Sequence, residues 1–155
     1  MLCDLLRSIH ASDGYPVRLQ NDVRSFILTE NCLAAWVSEI DATVVGHVAL
    51  HTVWCDEVAA LACAALGRPR SGICAVSRLF VDPTVRRRGI ARELLADATN
   101  EARSRGLWPV LDVVTTYTPA VALYERAGWT RLGTIAYPMP DGTSIDEHVY
   151  APSAV

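Results

Sequence analysis

The sequence predicts an α/β protein with a mixed central sheet of about six strands and helices on both faces. Three observations lead there. Segments with the β-branched texture of strands alternate with segments whose apolar residues recur at i, i+3 and i+4. The run from Ile73 to Thr115 reads strand, helix, strand, which implies a parallel crossover, right-handed in nearly all proteins. Hairpins flank that unit and add antiparallel pairs, so the sheet is mixed. A chain of 155 residues without a linker or repeat is expected to form one domain over residues 1–155, long enough to bury a sizeable core.

Leu2, Leu5, Leu6 and Ile9 recur at helical spacing and predict an amphipathic helix over residues 2–11, which SDGYP at 12–16 stops. NDVRSFILT, from Asn21, reads as a short second helix capped by Asn21 or Asp22. The period then changes. LAAWVSEID and ATVVGHVALHTV are two strands with a tight turn near Asp41–Ala42. On the second strand His47, Ala49 and His51 share one face, and Val48 and Leu50 the other. DEVAALACAALG, Asp56 to Gly67, is a helix that Gly67 ends. ICAVSRLFV, Ile73 to Val81, has the apolar, β-branched texture of a buried central strand and closes at Asp82–Pro83.

From Val85 to about Arg105 the pattern predicts a long helix, with Ile90, Leu94, Leu95 and Ala98 on one stripe and Gly106 at its C-terminal end. PVLDVVTT is a strand. PAVALYERAG is a helix with Pro119 in its first turn and Gly128 as its stop. Two last strands, Thr130–Ala136 and Ser144–Tyr150, are joined by the turn PMPDG.

Composition narrows the function. A net charge of −3 argues against a general nucleic-acid binder. No segment reaches the roughly 18 uninterrupted apolar residues of a membrane span. The N-terminal MLCDLLRSIH carries Asp4 and Arg7 within its apolar run and lacks the basic lead of a signal peptide. The five cysteines, Cys3, Cys32, Cys55, Cys63 and Cys74, are odd in number and scattered. They read as reduced, mostly buried thiols of a cytoplasmic protein, and no Cys/His spacing matches a metal site.

One stretch departs from the acidic balance. VRRRGIARELL places Arg86, Arg87 and Arg88 before Gly89, between an apolar strand and an amphipathic helix. The first N–H groups of a helix lack partners, and its dipole puts partial positive charge at that end. Phosphate is the usual occupant of such a site. Gly89 lets an anion approach the backbone, Ala91 keeps the side chains small, and arginine forks suit phosphate oxygens. RRRGIA therefore reads as a cradle for a diphosphate.

LFVDPTVRRRGIARELL followed by AVALYERAGW resembles the GNAT superfamily of acyl-CoA-dependent N-acyltransferases, from about Leu33 to Trp129 and more loosely beyond. The family signature Arg/Gln-x-x-Gly-x-Gly/Ala fits as Arg86-Arg87-Arg88-Gly89-Ile90-Ala91. The resemblance implies a V-shaped splay between two parallel strands, with the pantetheine arm of acetyl-CoA in the gap. Leu79, Phe80 and Val81 would offer it main-chain groups. The N–H groups from Arg87 to Arg92 would hold the pyrophosphate, and the side chains of Arg86, Arg87 and Arg88 would face the 3′-phosphate or water. Tyr124 matches the family's general acid. Tyr117 stands where the family often has asparagine, in a position to stack or hydrogen-bond with the cofactor. The resemblance implies an opening strand before the first helix, whereas this sequence enters a helix at Leu2. Either that strand is absent or the biological start lies upstream of Met1, and its absence would expose a sheet edge that a second copy could cover in a homodimer.

The expected reaction is direct transfer of an acetyl group from acetyl-CoA to a primary amine, on a small molecule or a peptide, without a metal or a cysteine intermediate. A main-chain N–H near Leu79 or Phe80 would steady the oxyanion. ICAVSRLFV holds no Asp or Glu, so the base candidates are His47 and His51, with Ser77 as a water holder. Asp146, Glu147 and His148 on the last strand, or a water chain, are the alternatives. Asp13 and Tyr15 would border the acceptor, and Arg78, if it faces the cleft, would favour an acidic or carboxylate-bearing one. A non-catalytic acyl-CoA sensor on the same fold is the competing reading.

Overall fold

The computed structural model describes residues 1–153. Helices α1 (Leu2–Asp13) and α2 (Val23–Ile27) precede the hairpin β1 (Cys32–Ile40) and β2 (Thr43–His51). Then come α3 (Asp56–Leu66), β3 (Ile73–Val81), α4 (Ile90–Ser104), β4 (Trp108–Val114), α5 (Thr118–Arg126), β5 (Trp129–Pro138) and β6 (Ser144–Pro152). The order of elements is the one that the sequence periods predict. The β1–β2 turn rests on Asp41 and Ala42, both at positive φ (49° and 62°), which suits the right-handed twist of a two-residue hairpin.

The long helix is the exception. Its apolar stripe begins as predicted, but α4 starts at Ile90 rather than at Val85. Pro83–Val85 form a short 3-10 turn capped by the Asp82 carboxylate, and Arg87 and Gly89 then adopt left-handed conformations (φ 65° and 81°). The arginines thus belong to a loop in front of the helix.

The sheet has six strands in the order β1-β2-β3-β4-β6-β5, with β1 and β5 at its edges. The β3–β4 pair is parallel and the other pairs are antiparallel. That parallel ladder is short. It pairs Ile73 with Trp108, Cys74 with Pro109 and Ala75 with Val110, and then stops, although the strands continue to Val81 and Val114. On its other side β3 carries a bulge. His47 faces Phe80 and Ala49 faces Ser77, so Arg78 and Leu79 together oppose Val48.

Side-chain alternation sorts the core onto two faces. Val48, Leu50, Cys74, Val76, Leu111, Val113 and Tyr150 meet α4 through Leu94, Leu95, Ala98 and Ala102. Ile73, Ala75, Val110, Val149 and Ala151 meet α3 through Val58, Ala59 and Ala62. The extra residue in β3 shifts this alternation by one. Phe80 therefore leaves the face of Val76 and packs against Leu6, Ile9, Val23 and Ile27 of α1 and α2. Gly46 allows α4 to sit close on β2, since a Cβ there would lie 3.1 Å from Leu94 Cδ1. No helix among the described residues is long and apolar enough to cross a membrane.

Leu95 is 2% exposed at the centre of the α4 face. Leu95→Ala should cost about 2–5 kcal/mol, as truncation of a buried leucine does. Urea unfolding checks this, and an unchanged midpoint would contradict the packing described.

Candidate active site

The loop between β3 and α4 is shaped by its left-handed residues. The N–H groups of Arg87, Arg88 and Gly89 donate to no backbone carbonyl among the described residues. With the first N–H groups of α4 they form a row of unsatisfied donors, which is an anion-binding concavity. Gly89 has open space where a Cβ would stand, and its φ of 81° is one that L side chains rarely adopt. Arg86, Arg87 and Arg88 are exposed. Arg86 pairs with Asp13, at the end of α1. Arg87, Gly89, Ile90, Ala91 and Arg92 line the main cavity of the protein, whereas Arg88 is not among the lining residues.

That cavity, of about 1400 Å³, occupies the gap where β3 and β4 part. Leu79, Phe80 and Val81 line it from β3, and Asp112, Val113 and Val114 from β4. Because the sheet is open there, side chains from both faces reach the same space. Ile90, Leu123 and Tyr124 come from one side, and Tyr15 and Phe26 from the other. Tyr124 is 8% exposed, and its hydroxyl has no hydrogen-bond partner among the described residues. Burial, then the nearby Tyr15 and Asp112, pushes the Tyr124 phenol well above its ordinary value, so it keeps its proton. Tyr117 lines the cavity beside it and donates its hydroxyl to the Gly14 carbonyl at 2.8 Å. Cys55 and Cys74 are buried, and burial pushes their thiols up to about 11 and about 12. None of the cysteines lines the cavity.

The second polar feature is a carboxyl pair. Glu147 of β6 lies opposite Val114, and Asp112 of β4 lies opposite Val149, so the two are diagonal neighbours on one sheet face. Both line the cavity. Glu147 is 9% exposed, and its Oε2 has no hydrogen-bond partner among the described residues. Burial and then the Asp112 carboxyl raise Glu147 far above the usual carboxylate range. Low polarity and the neighbouring carboxyl both favour the protonated form of Glu147.

His47 and His51 face the same side of the sheet as this pair but do not line the cavity. His47 Nδ1–H donates to the Arg78 carbonyl at 2.8 Å, and its ring stacks on Phe80. His51 Nδ1 is hydrogen-bonded to Ser77 Oγ, which does line the cavity. Burial, then the Arg78 charge, lowers His51 to about 4, and burial lowers His47 as well. Both rings are therefore neutral near pH 7.

Arg78, Asp13 and Tyr15 all line the cavity. Tyr15 stands between Phe80 and Tyr117, with ring centroids 6.3 Å from each. Asp146 is exposed, and His148 meets Thr134 at 2.7 Å. Asp112 is the residue that sequence reasoning missed, although it is the one charged group within the apolar run PVLDVV. Glu147 carries the same signal, standing between Ile145 and Val149 on the inward side of β6.

Known proteins resemble this chain in sequence and in fold. Residues 3–129 match the Acetyltransferase (GNAT) family. Acetyltransferase Atu2258 of Agrobacterium fabrum is 40% identical over 81 residues, which span 52% of this chain and 57% of that protein. The match thus covers little more than half of the relative's length. Among solved structures, Arabidopsis thaliana NAA60 in complex with acetyl-CoA superposes with a TM-score of 0.69 at 20% identity, over 96% of this chain and 91% of that one. The ribosomal-protein-S18-alanine N-acetyltransferase of Escherichia coli does so with a TM-score of 0.64 at 20% identity, over 98% and 88% of the two chains. These last two likenesses are of fold.

The raised Glu147 has a consequence for stability. The folded protein holds this proton more tightly than the unfolded chain does. Stability from this site is therefore full below the ordinary carboxylate range and is lost as pH rises through the raised value. Above about pH 5 the melting temperature should fall with pH, and Glu147→Gln should flatten that decline. Parallel melting curves for the two proteins would show that Glu147 is not held protonated.

Proposed function

The chain belongs to the acetyltransferase (GNAT) family, and we propose that it transfers an acetyl group from acetyl-CoA to a primary amine by direct attack within a ternary complex. The observation that carries this reading is the row of unsatisfied N–H groups at Arg87 to Gly89, at the mouth of the gap that Tyr124 faces. A diphosphate-linked thioester fits that arrangement. The N–H groups from Arg87 to Arg92 hold the two phosphates, and the exposed forks of Arg86 to Arg88 add positive charge around them. The unpaired edge of β3 at Leu79 to Val81 offers main-chain partners to the amide-bearing arm, and an N–H there steadies the oxyanion. When bound, acetyl-CoA supplies the activated acyl group.

The remaining steps fall to side chains of the cavity. The amine arrives as an ammonium ion, and the Asp112–Glu147 pair takes its proton. This places the base on the carboxyl pair, with His47 and His51 supporting Arg78 and Ser77 from behind. Glu147 keeps its own proton, so within the pair Asp112 accepts the ammonium proton while Glu147 donates a hydrogen bond to it. The N–C bond then forms as the C–S bond breaks. Of the two protons that the nitrogen loses, one passes through the carboxyl pair to solvent. The other balances the proton that Tyr124 gives to the departing thiolate. The high position of Tyr124 keeps that proton available at neutral pH.

Two measurements test this reading together: thermal stabilisation by acetyl-CoA, and release of free thiol across a panel of amines. Stabilisation with no release from any amine would favour the sensor. Gly89→Glu puts a like charge and a strained backbone at the phosphate cradle, and it should remove the stabilisation by acetyl-CoA. Undiminished affinity in this variant would sink the cradle. Tyr124→Phe should lower kcat by about 10²-fold while acetyl-CoA binding is retained, as loss of a general acid does. An unaffected kcat would take the proton donor away from Tyr124.

A further inference from the structure

The transfer reaction leaves Arg78, in the cavity wall, without a task. Arg78 sits in the β3 bulge at a φ of 55°, a backbone conformation that a residue with a Cβ rarely adopts. It is held there on several sides. Its carbonyl accepts from His47 Nδ1–H at 2.8 Å, and its Nε–H donates to the Phe26 carbonyl at 2.9 Å. The guanidinium carbon lies 4.0 Å from the ring centroid of Phe26 and 5.2 Å from that of Trp54. Such stacking pre-organises a planar fork.

The two Nη groups of this half-buried fork are not used by the protein. Among the described residues neither donates a hydrogen bond, and no carboxylate lies within 4.0 Å. Arg86, by contrast, has Asp13. A guanidinium fixed by its Nε and by two aromatic faces, with both Nη groups free in a cavity, is prepared for an anion that accepts two parallel bonds. The Asp112–Glu147 carboxyls line the same cavity from β4 and β6. Burial pushes the Tyr15 phenol up to about 12, with the Arg78 charge acting against that rise and Asp112 adding to it. The end of α1 and the residue after it also tie across the cavity wall, Asp13 to Arg86 and Gly14 to Tyr117.

We infer that the acceptor is a small amino acid, with its carboxylate on the Nη groups of Arg78 and its amine at the Asp112–Glu147 pair. This rests on the transfer reaction proposed above and adds the chemical class of its acceptor. Arg78 is then the residue that determines specificity, and the β3 bulge is the device that aims it.

The experiment compares free amino acids, both α-amino acids and longer ones such as 4-aminobutyrate, with their primary amides and decarboxylated amines. In the unaltered protein the best acid should exceed its amide in kcat/KM by at least about tenfold, the scale of one charged hydrogen-bonded contact. Arg78→Gln should lower kcat/KM for that acid by about 10²-fold, mostly through KM, and abolish the preference for acid over amide. Arg78→Lys, which keeps the charge but loses the fork, should fall in between. Stabilisation by acetyl-CoA should persist in both variants. Amides or plain amines accepted as well as the acids, acids not accepted at all, or a preference that survives Arg78→Gln would each overturn the inference. If Arg78→Gln does not fold, the acid–amide comparison on the unaltered protein still decides. Failure of acetyl-CoA to stabilise the unaltered protein would instead remove the transfer reaction, and this inference with it.

Discussion

The site depends on the early end of one hydrogen-bonded ladder. After Ala75 and Val110 the parallel strands β3 and β4 stop pairing, yet each remains a strand for several residues more. Backbone donors and acceptors that would have satisfied each other are left along the gap. An extended ligand with amide groups can replace the missing partner, as an added strand would. The gap also joins the two faces of the sheet, so Tyr124 from one side and Tyr15 from the other line a single cavity. Without it, α4 and α5 would be insulated from α1 and α2 by a closed sheet.

At the mouth of the gap the chain changes direction through two left-handed residues, Arg87 and Gly89, before α4 begins. This delays the helix and turns a run of N–H groups toward the opening. It also explains how a protein with net charge −3 can present a strongly basic loop. Arg86 to Arg88 stand in front of the helix, where helix dipole and side-chain charge have the same sign.

Electrostatic balance within the cavity follows from burial. Glu147 is pushed toward its protonated form and His51 toward its neutral form, because each lies in a low-polarity wall. Arg78 rests against two aromatic faces and donates to a backbone carbonyl. The bulge that places Arg78 in the cavity wall also turns Phe80 into the α1–α2 cluster, so one backbone irregularity sets both positions.

The sequence by itself determined the order of the elements, the mixed sheet, the alternating faces of β2 and the position of the basic, glycine-containing loop between β3 and α4. Each is written in local periods and in glycine placement, which act within a few residues. Tyr124 was legible for the same reason, since LYERAGW is a contiguous pattern. The late start of α4 was not legible, because the apolar stripe says which face is buried and not which N-terminal residues turn left-handed. Nor was the carboxyl pair. Asp112 and Glu147 are 35 residues apart and meet only through the β4–β6 register, a non-local pairing. The orientation of Arg78 likewise required the tertiary structure: a one-residue slip between β2 and β3 inverts which side chains face the cleft, and strand alternation alone cannot reveal it.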